Sequence, residues 1–213
     1  IGHGVPPCPD SPAPRAELGI PEEAFVLCLV SRAIPEKGWQ EAVDAVMLAN
    51  QKAARAIHLV LVGGGVMEET LRGTVPAYVP LTGVQANTRQ YLAMADMGLR
   101  PSCFKGESYP IVVLDSLACG KPVIASDVGE IRNILTLESG EMAGRLFPLD
   151  DHGRIPVEQL AGIIVEAAND QSQYDAMALA AQKAAANCNI ERTVKRYGEV
   201  YQQVLGNNQA VEE

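Results

Sequence analysis

The chain has 213 residues and a mass of 22.7 kDa, which suits one generous domain whose core needs no disulfide. Its 17 Lys and Arg against 26 Asp and Glu give a net charge of −9, spread along the chain, which excludes nonspecific nucleic-acid binding. The 47% hydrophobic content is that of a globular protein, and the apolar runs are too short to span a membrane.

Residues 1–24 contain six prolines, which remove backbone donors and fix φ, so we predict an interdomain linker there. The first residue is Ile and not Met, which suggests an internal cut. From Phe25 onward, short β-branched runs alternate with helical patterns, as is typical of a parallel sheet wrapped by helices. We therefore predict an α/β domain over residues 25–205 with a doubly wound, six-stranded, Rossmann-like parallel sheet. The predicted strands are Phe25–Ser31, Ile57–Val62, Val79–Leu81, Met97–Arg100, Pro122–Ala125 and Gly144–Phe147.

Helices are predicted between these strands and after the last one. They are Gly38–Lys52, Met67–Arg72, Thr88–Ala95, Ile111–Ala118, Gly129–Leu135, Val157–Ala168, Gln171–Ala186 and Glu191–Leu205. The last three are expected to cover one edge of the sheet, and residues 206–213 are expected to be a frayed tail.

The five cysteines, an odd number without a C-x-x-C pair, predict neither a zinc ribbon nor a disulfide framework. Reduced thiols and a cytoplasmic location fit this usage best. The cysteines are Cys8, Cys28, Cys103, Cys119 and Cys188. The three histidines stand far apart and there is no D-x-D, so no metal site is predicted.

Ligands of an open parallel sheet bind beyond the carboxyl ends of its strands, so the residues after each strand come first. After the first strand, Arg32 and Lys37 flank a loop that ends at Gly38. Either cation alone would be an ordinary surface charge. Together they can converge on a diphosphate without a metal, with Gly38 letting the backbone come close.

The turn after the second strand contains Gly63 and Gly65. A dinucleotide fingerprint would need a third glycine where Glu68 stands, and no P-loop motif occurs anywhere in the chain. We interpret the turn as a close approach to a phosphate or a sugar, with a plain tight turn as the alternative.

Glu107 and Asp115 lie on either side of a predicted helix start at Pro110. The free N–H groups and the positive dipole end of that helix would bind an anion. A diphosphate there would place a hydroxyl-bearing group near each carboxylate, a sugar at one and a ribose at the other. In the alternative interpretation Glu107 is a solvated loop charge and Asp115 an exposed helical residue.

At these residues the sequence resembles the donor-binding, C-terminal half of family 4 (group 1) retaining glycosyltransferases, which have the two-Rossmann GT-B architecture. Several motifs agree in order over roughly residues 2–205. They are Gly4-Val5, Arg32 with Lys37-Gly38, Val62 to Gly65, Gly83-Val84, Tyr91-Leu92, Ala95-Asp96, Pro101-Ser102, Glu107 with Asp115, and Ala118 to Ala125 with Val128-Gly129-Glu130. The second acid is Asp instead of the family's Glu, and Ser-Tyr-Pro follows Glu107 where Gly-Phe-Gly is common.

The resemblance implies transfer of a sugar from a nucleotide-diphospho-sugar to a hydroxyl, with retention of configuration, in polysaccharide biosynthesis. The nucleotide sugar is a substrate, and neither a metal nor a cofactor is implied. Arg32 and Lys37 would hold the diphosphate and Glu107 would lie near the sugar, as the catalytic group of residues. The residues implied for donor binding are Gly63, Gly65, Val84 beside the base, the backbone of Ser108, Tyr109 and Pro110, and Asp115 on the ribose.

The family places an acceptor-binding domain before the linker, so the resemblance implies that this chain lacks its N-terminal partner domain and transfers nothing alone. A peripheral association of the full-length protein with the inner membrane stays open. Two alternatives are a phosphorylase or sugar-nucleotide epimerase relative, and a noncatalytic doubly wound interaction module. The module would need clustered acidic residues at the strand ends.

Overall fold

The computed structural model describes residues 3–186 and 189–209. In this part of the chain five strands form one parallel sheet in the order β2-β1-β3-β4-β5. The strands are β1 Phe25–Val30, β2 Ile57–Val62, β3 Met97–Arg100, β4 Val123–Ser126 and β5 Gly144–Phe147. Each lies within one residue of its predicted bounds, which confirms the α/β class.

Eight α-helices accompany these strands in the described ranges, and none is long and apolar enough to cross a membrane. They are α1 Trp39–Asn50, α2 Val66–Leu71, α3 Thr88–Met94, α4 Ile111–Ala118, α5 Ile131–Leu135, α6 Val157–Asn169, α7 Gln171–Ala185 and α8 Ile190–Gln209. The α8 helix continues beyond the predicted boundary into the expected tail, of which residues 210–213 lie outside the described residues.

The core has two layers because the central strands are buried on both faces. On β1, Phe25, Leu27 and Leu29 pack with α1 and α6, whereas Val26 and Cys28 pack with α3. The α6 helix lies against α1, and α7 lies against α4 and β5. The C-terminal helices therefore extend the helical layers and do more than cover one edge of the sheet.

The predicted sixth strand, Val79–Leu81, is wrong. This segment runs beside β2 and makes one isolated bridge, between Leu61 and Leu81. The Leu59 N–H donates to the Tyr78 carbonyl, but the return bond to Leu59 would have to come from Pro80, which has no N–H. The ladder therefore stops after a single bridge.

The expectation of unpaired cysteines is also corrected, because Cys8 forms a disulfide with Cys119. The two residues are 111 positions apart, so their spacing gives no sign of the pairing. They meet because the linker folds back along the end of α4. Cys28 and Cys103 are free, and Cys188 lies outside the described residues.

The second half of the predicted linker packs on the domain. A short 3-10 helix forms over Arg15–Leu18, and Ile20 and Ala24 are buried against β1 and β2. The Arg15 guanidinium forms an ion pair with Asp96, N to O 3.2 Å. The role of residues 1–24 as a linker stays a prediction.

Trp39 begins α1 and is fully buried, and its indole N–H donates to the Ser31 hydroxyl at 2.8 Å. We expect Trp39→Ala to lower the free energy of unfolding by about 3–5 kcal/mol, because it leaves a large cavity under the first loop. Urea unfolding measures this. Met47→Ala, at an exposed position of the same helix, is the control and should change stability by less than about 1 kcal/mol. Equal losses in the two variants would contradict the assignment of Trp39 to the core.

Candidate active site

The loop after β1 carries Lys37 to the carboxyl edge of the sheet. Lys37 ends a 3-10 turn over Pro35–Lys37, and Gly38 follows with φ 69°. A Cβ on Gly38 would lie 2.0 Å from the Pro101 carbonyl oxygen. Gly38 is therefore needed where this loop meets the loop after β3. The approach that we expected toward a ligand is made to the protein's own backbone.

The Glu107 carboxylate is the group that three other side chains of the site contact. Its Oε2 accepts hydrogen bonds from Lys37 Nζ at 2.7 Å, from Arg100 Nη2 at 2.5 Å and from the Ser102 hydroxyl at 2.9 Å. The side chains of Lys37, Arg100 and Glu107 are only 7–8% exposed. The Lys37 ammonium also lies 4.2 Å from the centre of the Phe104 ring, a cation–π contact. Two cations therefore share one buried carboxylate, so the cluster carries excess positive charge.

Burial alone would raise the pKa of the Glu107 carboxyl, but hydrogen bonds and charge from Lys37, Arg100 and Ser102 outweigh it and hold the pKa below its usual value. Burial lowers the pKa of Lys37, which Glu107 partly offsets; Arg100 and the exposed Arg32 lower it further. Arg32 thus lies within electrostatic range of Lys37 at the rim of the sheet. The structure brings Lys37 and Glu107 into direct contact, whereas Arg32 acts on Lys37 only through its charge.

The glycine turn after β2 contacts the first loop. A Cβ on Gly63 would lie 1.9 Å from the Ser31 carbonyl oxygen, and one on Gly65 would lie 2.7 Å from that of Ala33. Both glycines also have positive φ, 143° and 139°. Their close approach is to backbone, which favours the tight-turn alternative at this position and ties the loops after β1 and β2 together.

Val84 lies next to this turn and is 82% exposed. A Cβ on Gly64 would meet the Val84 side chain at 2.7 Å, and the Gly63 N–H donates to the Gly83 carbonyl. Val84 therefore lies exposed at the edge of the sheet where β2 ends.

The segment before α4 is held by the turn after β4. Gly129 has φ 56°, and a Cβ there would lie 2.2 Å from the Glu107 carbonyl oxygen. The Glu130 N–H donates to the Ser108 carbonyl at 2.8 Å. Pro110 occupies the N-cap position of α4, whereas the sequence predicted it as the first residue inside the helix. The free N–H groups of the first turn of α4 therefore begin at Ile111, four residues after Glu107.

Asp115 and Tyr109 take no part in the ion pairs of Lys37, Arg100 and Glu107. Asp115 is half-buried on α4, and no side chain in the described ranges donates a hydrogen bond to it. Burial raises the pKa of Asp115, against a smaller opposing effect of Arg89. The Tyr109 ring packs edge-on against His3, with the ring centres 5.3 Å apart. Of the residues predicted around the helix start, only Glu107 enters the ion-pair cluster.

Sequence reasoning missed Arg100 and Ser102. Arg100 ends β3 after apolar residues, at the edge where ligands of such sheets bind. A charged last residue in a buried strand is the signal that could have identified it. The Ser102 hydroxyl lies between Glu107 and the Glu36 carbonyl, 2.9 and 3.3 Å away. In the described part of the chain, no three His, Cys, Asp or Glu residues come together as a metal site.

A sequence profile for the family described as "Glycosyl transferases group 1" matches residues 24–170. The chain belongs to the group 1 glycosyltransferases. Its sequence is 29% identical over 203 residues to a D-inositol 3-phosphate glycosyltransferase of Jonesia denitrificans, with 89% of this chain and 46% of the relative covered. A protein of the same name from Thermobispora bispora is 30% identical, with 91% and 47% covered. The chain thus spans about half the length of the curated relatives it matches.

The fold of this chain matches solved structures. The crystal structure of Anabaena Alr3699/HepE in complex with UDP-glucose superposes with a TM-score of 0.72 at 23% identity, covering 89% of this chain and 51% of that one. The epimerase or phosphorylase and interaction-module alternatives are not favoured by these matches.

Replacing the Glu107 carboxylate should be costly. Glu107→Gln leaves two buried cations without their counter-charge, so we expect the free energy of unfolding to fall by about 3–5 kcal/mol. Because the folded pKa of Glu107 is lowered, its contribution is present above the usual carboxyl pKa and is lost as the pH falls through the folded value. The wild-type chain should therefore lose more stability on acidification than Glu107→Gln does.

Chemical denaturation at a series of pH values measures both effects. Glu36→Gln is the matched control, since Glu36 is exposed in the loop that carries Lys37. Parallel stability curves for the wild type and Glu107→Gln between neutral and acidic pH would show that the cluster does not hold Glu107 ionised.

Proposed function

We propose that this chain is the nucleotide-sugar-binding half of a retaining GT-B glycosyltransferase that transfers a sugar to a hydroxyl acceptor without a metal ion. Residues 1–24 form the linker and residues 25–205 the donor domain in this proposal. The observation that carries it is the buried Lys37–Glu107 pair, 2.7 Å apart, beside the free N-terminus of α4. This is a cation, a carboxylate and a helix dipole at the ligand-binding edge of the sheet.

The donor's diphosphate is proposed to lie between Lys37, Arg32 and the first N–H groups of α4. When the glycosidic bond breaks, negative charge grows on the departing phosphate. Fixed positive groups at that place stabilise the charge without having to reorganise, which is the most effective form of electrostatic catalysis. Lys37 is pre-positioned for this by its contacts with Glu107 and Phe104.

We propose that the hydroxyls of the donor sugar bind the Glu107 carboxylate. The three hydrogen bonds that the structure gives this carboxylate all end on Oε2, so Oε1 is free to accept from sugar hydroxyls. With a lowered pKa, Glu107 is an acceptor and not an acid at neutral pH.

The nucleoside is proposed to extend from the diphosphate to Asp115 and Val84. Asp115 has no internal donor among the described residues, so its oxygens are open to ribose hydroxyls. The backbone of Val84, an exposed residue, is proposed to contact the base, with Gly63 and Gly65 shaping the turn beside it. Backbone N–H groups around Ser108, Tyr109 and Pro110 are proposed to meet the phosphate or the sugar, although Pro110 itself supplies none.

Two relatives support the donor class. The Anabaena neighbour was crystallised with UDP-glucose, and a 31% identical relative from Mycobacterium tuberculosis is named a GDP-mannose-dependent alpha-mannosyltransferase. A Bacillus subtilis relative, 30% identical, carries the name putative teichuronic acid biosynthesis glycosyltransferase, which agrees with a role in polysaccharide synthesis. A cytoplasmic location stays part of this proposal on the family resemblance alone, because the Cys8–Cys119 disulfide removes the support from unpaired thiols.

The acceptor is proposed to bind a second domain, because the relatives are about twice as long as this chain. The α8 helix supports such a partner with a row of exposed apolar side chains on one face, including Val194, Tyr197 and Tyr201. By itself the chain is proposed to bind the donor weakly and transfer nothing.

Calorimetry with UDP, GDP and ADP, with and without magnesium, tests donor binding. We expect at least one nucleotide to bind without magnesium, and Lys37→Ala to weaken this binding about tenfold or more because a buried charge contact to phosphate is lost. Lys52→Ala is the control, beyond the far end of α1. Binding that requires magnesium, no binding at all, or formation of a transfer product by this chain alone would each contradict the proposal.

Asp115 can be tested on the ribose itself. We expect 2′-deoxy- or 3′-deoxy-UDP to bind the wild type about tenfold more weakly than UDP, and Asp115→Asn to lose most of that preference, because both changes remove one hydrogen bond to a charged group. Asp175→Asn, at an exposed position of α7, should keep the wild-type preference. If Asp115→Asn kept the wild-type preference for UDP over the deoxy compounds, the ribose would not bind at Asp115.

A further inference from the structure

Arg100 contacts Glu107, where the sugar is proposed to bind, and the proposed function gives Arg100 no role. It is the last residue of β3, paired in register with Ala125 of β4, and its side chain is 7% exposed. Its Nη2 donates to Glu107 Oε2 at 2.5 Å. A strand end in the middle of a sheet is among the least mobile places in a fold, so Arg100 offers Glu107 a fixed partner.

Fold stability alone does not account for this arginine. Its Nε and Nη1 are buried and have no hydrogen-bond partner among the described residues. Burial also lowers the pKa of Arg100, against the opposing effect of Glu107. A buried ion pair with unsatisfied donors is commonly no better for stability than an apolar side chain of similar size. Unsatisfied buried polar groups call for an explanation, and in native proteins function is a frequent one.

The three donors around Glu107 come from three different elements. Lys37 comes from the loop after β1, Arg100 from β3 and Ser102 from the loop after it. All three bind the same oxygen, Oε2. This fixes the carboxylate by one oxygen, and a second cation keeps it ionised even when Lys37 also contacts a ligand.

We propose that Arg100 is a positioning residue that holds Glu107 as an anion with Oε1 free for the donor sugar. The inference rests on the proposed function for what Oε1 binds, but the hold on Glu107 stands on the ligand-free geometry. Lys37 is thereby released to serve the diphosphate, because Glu107 retains a counter-charge when Lys37 turns toward phosphate. The two cations of the cluster then have separate roles.

The first test needs no ligand. Side-chain carboxyl 13C resonances of glutamate-labelled protein are followed against pH, with Glu107 assigned by its loss in Glu107→Gln. We expect Glu107 to titrate at a higher pH in Arg100→Met than in the wild type, since a neighbouring cation has been removed. Arg100→Lys should move the titration back toward the wild type. Arg145→Met removes a strand arginine far from the site, paired with Glu166, and should leave Glu107 unchanged.

The second test measures binding of UDP-glucose, whose phosphates stay charged across the range used, between about pH 7.5 and about pH 5. As the pH falls over this range, we expect the affinity of Arg100→Met for UDP-glucose to drop on the order of tenfold more than that of the wild type, because Glu107 becomes protonated in the variant. Arg100→Lys should recover most of the loss. Folding is checked by thermal unfolding at both pH values.

The outcomes separate the two proposals. Titration of Glu107 at the same pH in Arg100→Met and wild type, or an affinity loss that is equal at every pH, overturns the role of Arg100. If the wild type does not bind UDP-glucose, the pH series uses a sugar nucleotide of the base that the calorimetry identifies. If it binds none of UDP, GDP and ADP, the proposed function falls while the titration still decides whether Arg100 holds Glu107. If Arg100→Met does not fold, the polar but uncharged variant Arg100→Gln replaces it, with Arg145→Gln as its control: a higher titration pH of Glu107 in Arg100→Gln supports the role, and an unchanged one rejects it.

Discussion

The buried carboxylate of Glu107 is the interaction on which the candidate site depends. It joins the loop after β1, the end of β3 and the segment before α4, because Lys37, Arg100 and Ser102 all donate to it. Isolated cations at these positions would repel each other and move into solvent. With Glu107 between them, both stay buried and their donors point to one place. The positive character of the rim is therefore built around an anion.

Close backbone contacts bring these loops within reach of one another. At Gly38, Gly63 and Gly129 a Cβ would lie within 2.2 Å of a carbonyl oxygen in a neighbouring loop. Each of these glycines also has a positive φ, so any other residue would meet both strain and a clash. Glycines in such turns are easily interpreted as phosphate-binding. Here they hold neighbouring loops together, and the groups left for a ligand are side chains, the N-terminus of α4 with the backbone just before it, and the segment at Val84.

Much of the fold follows from the sequence because the strands are buried on both faces and form continuous apolar runs. The exception, Val79–Leu81, has the right composition, but Pro80 cannot return a ladder hydrogen bond. The site is harder to predict. Topology alone places Lys37 and Glu107 at the same edge of the sheet, whereas their direct contact across 70 positions depends on side-chain geometry. Arg100 was missed because one charged residue has no periodicity, and the Cys8–Cys119 pairing because it depends on the path of the linker.

Charge acts at short range in this protein. The chain as a whole carries −9, which would repel an anionic donor at a distance. Screening limits that repulsion to about 8 Å at physiological ionic strength. Lys37 and Arg100 lie in the low-dielectric interior, where screening is weak, and their two charges exceed the single charge of Glu107. The overall charge of the chain therefore gives a diphosphate no attraction from a distance, and binding begins only at the rim. There the excess charge of the cluster, Arg32 and the α4 dipole act together, so recognition depends on fit at this edge and not on long-range attraction.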